Sequence, residues 1–332
     1  QNGSVMDRRI SIRGVGPGSG ANQTVGQFIG DVPMTDPYSN FIAPDLDPFD
    51  LENVEILKGP QGTYFGASAL NGAIRYVPAK PELGQLGGRA FVDYLSISQG
   101  SAAASYGGAL NLPFGDTLAL RGMAVLQHAP GIIDNLQRQA PDADGRRKWS
   151  GRLAARWEPL EGLSLGALYL RQRSAQHDVL AVDNDEARLE NNSRPGGSHV
   201  DSSFDLAGID ARYELGPAGT LVLQSSQQHK NALTDFDAGV TQLGRQGIQS
   251  LRGFFSADIS GVTHELRLVS PNDGRWNWIA GVFLLDYKAR ADTERDLKHR
   301  FAACLLRGKQ EAFAVRGPVE RELFELLVRH HR

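Results

Sequence analysis

From Gly87 onward, hydrophobic and polar residues alternate in segments of about ten residues, the length of a tilted membrane strand. The alternation is clearest in residues 118–127, where Leu120 and Ala124 share one face and Arg121 lies on the other. A period of two residues predicts β-strands. The predicted strands lie near 88–98, 102–112, 117–128, 149–158, 162–172, 203–214, 219–229, 260–270 and 276–289.

The same alternation assigns charged residues to one face of two further segments. In residues 262–268, Glu265 and Arg267 fall on the polar side. In residues 152–157, Arg152 and Arg156 lie opposite the face that carries Trp157. The pattern therefore predicts strands with one apolar and one charged face.

The predicted strands are joined alternately by short and long connections. Four tight turns are predicted at 113–116, 159–162, 215–218 and 271–274, and three longer polar links at 129–148, 173–202 and 230–259. Short turns on one rim and long loops on the other are typical of an outer-membrane barrel, whose long loops face the outside of the cell. A soluble sandwich or propeller gives no reason for this asymmetry.

The first eighty residues lack this rhythm. They are rich in Gly, Pro and Asp, and no helical apolar period is sustained in them. Short β-like runs occur at 9–13, 27–29, 54–57 and 73–77. This composition predicts a small, loop-rich β domain over residues 1–84.

Composition excludes several classes of protein. The chain has 332 residues, of which 41% are hydrophobic, and a net charge of −3. The longest nearly apolar run, 278–285, is far shorter than the roughly 18 residues of a spanning helix, whereas the strands of a membrane barrel average out to modest hydropathy. The slightly negative charge argues against a nucleic-acid partner.

No residue pattern indicates an enzyme, a metal site or a bound cofactor. The single cysteine, Cys304, excludes an intramolecular disulfide and most cysteine-based metal sites. The eight histidines are scattered apart from a terminal pair. The glycines of residues 14–20 lack the spacing of a dinucleotide-binding loop, and no serine lies in a nucleophile elbow.

Both ends of the chain depart from these patterns. Residues 291–332 are charge-dense; 310–315 could form one further strand, and 319–332 have the spacing of an amphipathic helix. We expect this tail to result from a truncation or frameshift. Gln1 and the residues after it lack the features of a signal peptide, so an exported protein is expected to have a start that this chain lacks.

Residues 47–78 contain a strand (54–57), a glycine-rich bend and a second strand that begins at Gly72. This arrangement resembles the plug domain of TonB-dependent outer-membrane receptors. Four segments are each similar to a plug element of that family: 9–14, 29–33, 54–66 and 72–78. Lys58 stands where Arg is commoner. The resemblance extends over about residues 8–290. The turn motif comprises Gly59, Pro60, Gly62, Gly66 and Gly72.

The resemblance implies an all-β protein, with a partial plug domain followed by an incomplete antiparallel transmembrane β-barrel at 85–290. Nine or ten strands are predicted, whereas the family's barrel has 22, so the chain is expected neither to close a lumen nor to transport by itself. The implied activity of the intact form is energy-coupled uptake of a scarce nutrient, most often a ferric siderophore, across the cell outer membrane. The implied partners are outer-membrane lipid and a TonB-type energy-coupling protein, whose binding motif would lie before Gln1.

Two groups of site residues follow from the resemblance. Basic plug residues Arg13 and Lys58 are predicted to pair with Glu265 of the barrel wall, although all three could instead be ordinary solvated charges of the lumen. Tyr38 and Phe41, in the turns at the outer end of the plug, are predicted to contact the ligand, although they could equally pack against the wall.

A second hypothesis of a different class stays open. The chain could be a soluble all-β ligand-binding protein that has plug-like turns and no transport activity. A heat-modifiable product extracted from membranes would favour the receptor, and a soluble monomer would favour the alternative. An enzyme is the least supported class, because no catalytic grouping occurs.

Overall fold

The computed structural model describes residues 10–16, 23–35, 44–62, 69–98, 100–178, 189–191, 199–237, 248–271, 277–299 and 302–307. For 191, 236–237, 248–252, 293–299 and 302–307 the description is limited to the backbone. No helix in these ranges is long and apolar enough to cross a membrane.

A small mixed sheet is formed by the first four strands, in the order β2-β1-β4-β3. β1 and β4 are parallel, and the other two pairs are antiparallel. The bounds are β1 Val25–Ile29, β2 Val32–Pro33, β3 Leu51–Lys58 and β4 Gly72–Pro78. Three of the four short runs predicted in this region are therefore strands. The fourth is not, because Ile12 and Val15 form an isolated bridge across a turn at Arg13 and Gly14.

A large sheet contains ten strands in the order β16-β15-β14-β13-β12-β10-β9-β7-β6-β5. Every neighbouring pair is antiparallel. β8 and β11 form a separate two-stranded sheet between the long connections, and a 3₁₀ helix, Gly216–Ala218, makes the turn from β12 to β13. The bounds are β5 Gly87–Ser96, β6 Ala102–Phe114, β7 Leu118–Ala129, β8 Asp134–Asn135, β9 Arg146–Leu160, β10 Leu163–His177, β11 Glu190–Asn191, β12 His199–Glu214, β13 Thr220–Asp237, β14 Ile248–Val269, β15 Ile279–His299 and β16 Ala302–Arg307.

Each predicted barrel strand corresponds to a strand of this sheet, but several strands are longer than predicted. β13 and β14 occupy most of residues 230–259, so the long link predicted there is wrong. In the added part of β13, polar residues such as Asn231 and Thr234 lie on both faces, and hydrophobic alternation no longer marks the strand. The added part of β14 does alternate, with Phe255, Ala257 and Ile259 on one face. β15 and β16 also continue past residue 290, whereas the strand at 310–315 and the helix at 319–332 fall outside the described residues.

The outer face of the large sheet carries two levels of exposed aromatic residues. Tyr106 and Trp149 lie at one level, and Phe114 and Trp157 lie at another, as the strand register shows. Eight residues of β9 separate the two levels, which is about 20 Å at the tilt of a membrane strand. The surface between them is apolar and exposed, with Leu153 as an example. This pattern is typical of the outer band of a transmembrane barrel.

The small sheet lies against the inner face of the large one. Ile29, Val32 and Met34 of the small sheet form one buried cluster with Phe204 and Leu206 of β12. All five side chains are less than 9% exposed. We call the small sheet and its loops (described residues 10–80) the plug, and the ten-stranded sheet the wall.

The plug–wall contact as a candidate functional site

Asp50 of the plug is the centre of the largest charged contact with the wall. It lies in the turn before β3, and its side chain is fully buried. Its carboxylate accepts hydrogen bonds from Arg89 of β5 at 2.7 Å, from Arg121 of β7 at 3.0 Å and from Arg152 of β9 at 2.6 Å. Arg152 also donates to the main-chain carbonyl of Asp50. One plug residue thus connects three wall strands.

The surroundings of Asp50 keep its carboxylate charged. Burial alone would raise its pKa, but hydrogen bonds from Arg121 and Arg89 and the positive charge of Arg152 hold the pKa below its ordinary value. The backbone there has φ of +60°, a left-handed conformation that Asp tolerates better than most residues.

Two further plug carboxylates face cations of β9. The Lys148 ammonium lies 3.3 Å from Asp45 and 3.8 Å from Asp47, and the Arg146 guanidinium lies 3.9 Å from Asp45. The Lys148 side chain is only 3% exposed.

We call residues 45–50 the acidic segment. The cations that face it form the basic strip, which consists of Arg89, Arg121, Arg146, Lys148 and Arg152.

Phe49 gives the acidic segment an apolar anchor beside these charges. Its ring lies 4.9 Å from that of Phe91, centroid to centroid, and the Arg89 guanidinium lies 5.3 Å from its centroid. Both rings pack near Met123 and Val125 on the inner face of the wall. The charged contacts are therefore partly shielded from solvent, which strengthens them.

Asp31 makes a second charged contact on the opposite side of the plug. It lies in the turn between β1 and β2, and its carboxylate is 2.7 Å from both Arg75 of β4 and Arg267 of β14. Arg75 also pairs with Glu55 at 3.1 Å, and Arg267 with Glu265 at 3.2 Å. Five alternating charges thus connect the plug sheet to the wall.

The Asp31 carboxylate is also held in its charged form. Burial would raise its pKa, but the hydrogen bond and charge of Arg267, followed by those of Arg75, lower it below the ordinary value. Its side chain is 26% exposed, however, so water reaches this contact.

Main-chain carbonyls complete the contact near Asp31. The Pro33 carbonyl accepts a hydrogen bond from the Gln228 side chain at 3.1 Å, and the Met34 carbonyl accepts one from Lys230. Lys230 is fully buried, and its ammonium lies 5.9 Å from the centroid of the Phe204 ring. The part of β13 that contains Gln228 and Lys230 is therefore hydrogen-bonded directly to the plug backbone.

The predicted pairing of Arg13 and Lys58 with Glu265 does not occur in the described residues. Glu265 pairs with Arg267 instead, and both predicted plug cations are exposed. Lys58 ends β3, at the edge of the plug sheet away from β1 and β2. Asp31 directly precedes β2, which lies three strand spacings, roughly 14 Å, from β3 in the plug sheet. Opposite charges do join plug and wall, but the anions are on the plug and the cations on the wall.

The turn motif has a steric explanation at two of its glycines. Gly59 has φ of +94°, and Gly72 has φ of +152°. A Cβ on Gly72 would lie 2.4 Å from the Leu57 carbonyl oxygen, so a side chain there would separate β3 from β4. Pro60 and Gly62 lie in the described part of the bend, whereas Gly66, Tyr38 and Phe41 lie outside the described residues.

Sequence reasoning missed the carboxylates that hold the plug. The alternation had assigned Arg121, Arg152 and Arg267 to the polar faces of their strands, and the structure confirms those faces. Asp31 and Asp50 were missed because an Asp in a turn is usually explained by turn geometry alone. In the described ranges no group of three or more His, Cys, Asp and Glu residues is arranged to hold a metal ion.

The plug corresponds to a known family. Residues 1–73 match the family model described as TonB-dependent Receptor Plug Domain. The match ends within β4, so it includes Asp31 and Asp50 and most of the plug sheet.

Solved structures similar to the whole chain include three transport proteins. The ferric yersiniabactin uptake receptor FyuA from Yersinia pestis is 21% identical, with a TM-score of 0.72 over 91% of this chain and 45% of that one. The ferric citrate transporter FecA, in its unliganded form, is 13% identical, with a TM-score of 0.65 over 92% and 44%. The copper transporter OprC is 16% identical, with a TM-score of 0.63 over 94% and 44%.

These similarities show the fold of both parts of the chain. The chain spans less than half the length of each of the three proteins. All three are described as receptors or transporters. Residues 1–73 thus match the plug domain of TonB-dependent receptors, and the ten wall strands against which this plug packs have the fold of the corresponding part of the three similar structures.

Proposed function

We propose that this chain contributes the plug and ten wall strands of an outer-membrane receptor for energy-coupled uptake of a scarce nutrient. The observation that carries the proposal is the form of the plug–wall contact. Charged and hydrogen-bonded groups, including Asp31 and Asp50, join the two parts at several points. Water can replace such bonds when the plug moves, so the contact is both specific and breakable.

The proposed energy source is a TonB-type coupling protein that pulls on the plug. Energy coupling is needed because several buried ion pairs must separate together, each at a cost of about 3–5 kcal/mol when one partner is removed.

The proposed location is the cell outer membrane, in contact with its lipid. The exposed apolar surface between the levels of Trp149 and Trp157 supports it, because such a band is stable only against hydrocarbon or another apolar surface.

The proposed cargo is a ferric siderophore. Two of the similar structures, those of FyuA and FecA, are named for ferric complexes, and a ferripyoverdine receptor of Pseudomonas aeruginosa is similar with a TM-score of 0.60. OprC is named for copper, so chelates of other metals are the nearest competing cargo.

Tyr38 and Phe41 remain proposed ligand contacts, and Glu265 remains a proposed member of the plug–wall contact through Arg267.

Uptake of radiolabelled iron tests the function. The complete receptor to which this chain is proposed to contribute is expressed in a strain that lacks its own ferric siderophore receptors, and uptake of several ferric chelates is measured with and without the TonB-type protein. We expect uptake of at least one chelate, only when the coupling protein is present.

Three outcomes would contradict the proposal. Uptake without the coupling protein would indicate a passive pore. No uptake of any chelate, with the protein in the outer membrane, would remove the proposed cargo class. A soluble monomer would favour the alternative of a soluble ligand-binding protein.

A further inference from the structure

We infer that the basic strip binds the cargo as well as the plug. When the plug moves, the strip lines the opened route, and it favours a metal chelate of net negative charge. This inference rests on the proposed function, because it requires a plug that leaves the inner face of the wall.

The charges of the contact are unequal. Five cations of β5, β7 and β9 face three carboxylates of the acidic segment: Asp45, Asp47 and Asp50. In the described residues every ion pair of these cations ends on the plug and none on the wall. Glu82, which lies between the plug and the wall, also acts on Arg121 through its charge. Five cations thus outnumber four carboxylates, so the strip is positive with the plug in place and more so without it.

The cations are held in place by the wall rather than by the plug. Lys148 and Arg152 are four residues apart on β9, on the inner face. The register places Arg121 of β7 opposite Ala154, which makes it a diagonal neighbour of Arg152 on the same face. Strand pairing thus keeps their backbones together when the acidic segment leaves. A concave surface lined by one sign of charge concentrates counter-ions.

The chemistry of the strip selects the cargo. Arginine offers a planar set of donors that binds carboxylates in pairs, as Arg121 already does with Asp50 through Nε and a terminal nitrogen. A chelate whose outer surface carries carboxylate or phenolate oxygens can make the same bonds. A cationic chelate would be repelled, because no wall carboxylate of the described residues pairs with these five cations.

The opposite side of the wall lacks this property. Arg267 of β14 has Glu265 beside it at 3.2 Å, so departure of Asp31 leaves a neutral pair there. The anionic route is therefore expected along β5–β9 and not along β14.

Ion selectivity of the opened protein tests the inference. The full protein is purified from outer membranes and inserted into planar lipid bilayers, and urea is added to the concentration that releases the plug while the wall strands stay protected. The probe is potassium chloride, and the reversal potential in a salt gradient gives the chloride-to-potassium permeability ratio. We expect this ratio to exceed one.

Two neighbouring residues provide a matched pair of variants. Lys148→Gln removes one cation from the inner face and should lower the permeability ratio by about twofold, because fewer counter-ions are concentrated there. Arg147→Gln removes the same charge from the next residue, which is exposed on the opposite face, and should leave the ratio unchanged. Arg146→Gln, at a half-buried position, serves as a second inner-face variant if Lys148→Gln fails to fold.

The outcomes separate the inference from the proposed function. A pore that prefers potassium or has no preference, or equal effects of Lys148→Gln and Arg147→Gln, would overturn the inference and leave transport standing. Failure to form any pore after plug release would contradict the transport function itself.

Discussion

Two of the carboxylates that join the plug to the wall, Asp50 and Asp31, differ in burial and in their partners. The Asp50 side chain has no exposed surface and contacts three arginines, all of them on the wall. The Asp31 side chain is 26% exposed and contacts two, of which Arg75 belongs to the plug itself. Moving the plug therefore separates Asp50 from every partner but separates Asp31 from only Arg267.

The partners left behind differ as well. Arg267 keeps Glu265, and Arg75 keeps Glu55, when the Asp31 contact opens. Arg89, Arg121 and Arg152 keep no ion-pair partner in the described part of the wall when the Asp50 contact opens. Since the cost of breaking a buried pair is mainly that of the charge left unpaired, the Asp50 contact should hold the plug more strongly.

Asp50→Asn should have the largest effect. It keeps a residue that tolerates the left-handed backbone but removes the charge that neutralises three arginines, so we expect the free energy of opening the plug to fall by about 3–5 kcal/mol. Hydrogen exchange of the β4 amides measures that free energy. Glu52→Gln, on an exposed residue of β3, is the control and should change it by less than about 0.5 kcal/mol. Equal effects of the two variants would show that the Asp50 contact does not hold the plug.

Asp31→Asn should have a smaller effect, of about 1–2 kcal/mol in the same measurement, because water reaches the site and both arginines keep another carboxylate. A double-mutant cycle with Arg267→Gln isolates the contribution of the pair. An effect larger than that of Asp50→Asn would reverse the proposed order of the two contacts.

Acid should loosen the plug through both carboxylates. Each has a pKa lowered in the folded state, whereas an unfolded Asp has a pKa of about 3.9. The stability they contribute is therefore complete above that pH and is lost as the pH falls through the lower folded pKa values. We expect pepsin to cleave the plug increasingly fast below about pH 4. Asp50→Asn should flatten this dependence more than Asp31→Asn, and a pH-independent cleavage rate would argue against both.

Salt should have the smallest effect and should act on one contact only. Raising the ionic strength from about 0.1 M to about 1 M shortens the screening length from about 10 Å to about 3 Å, which weakens partly exposed charge pairs. We expect plug opening to become easier by less than about 1 kcal/mol. The response should disappear in Asp31→Asn and persist in Asp50→Asn. Loss of the response in Asp50→Asn instead would place the screened charges at the buried contact.

Strand positions and faces were largely predictable because they follow from local alternation. Arg121 and Arg152 were placed on the polar faces of β7 and β9, where the structure has them. Alternation failed at the end of β13, where both faces carry polar residues and a strand has the composition of a loop. The start of β14 was also predicted to be a loop, although Phe255, Ala257 and Ile259 share one face there. The steric requirement for glycine at position 72 could be predicted only from the family motif. The atom that excludes a side chain there is the carbonyl oxygen of Leu57, which belongs to a different strand, β3.

Ion-pair partners could not be predicted in the same way. The sequence contains enough acidic and basic residues for many pairings, and the expected one placed cations on the plug and an anion on the wall. The observed contacts have the opposite polarity because the turns that carry Asp31 and Asp50 reach the wall, whereas Lys58 ends a strand on the far side of the plug sheet.

The amino-acid sequence by itself determined the class of this protein: a glycine-rich plug motif followed by amphipathic strands, each with one apolar and one charged face. These features are local, because they depend on residues two apart or within one turn. Only the tertiary structure decided which charges meet. Asp31 and Arg267 are far apart in the sequence, and their side chains come within 2.7 Å because the plug sheet packs against the wall. This packing depends on the shapes of both surfaces, and no single segment of the sequence specifies it.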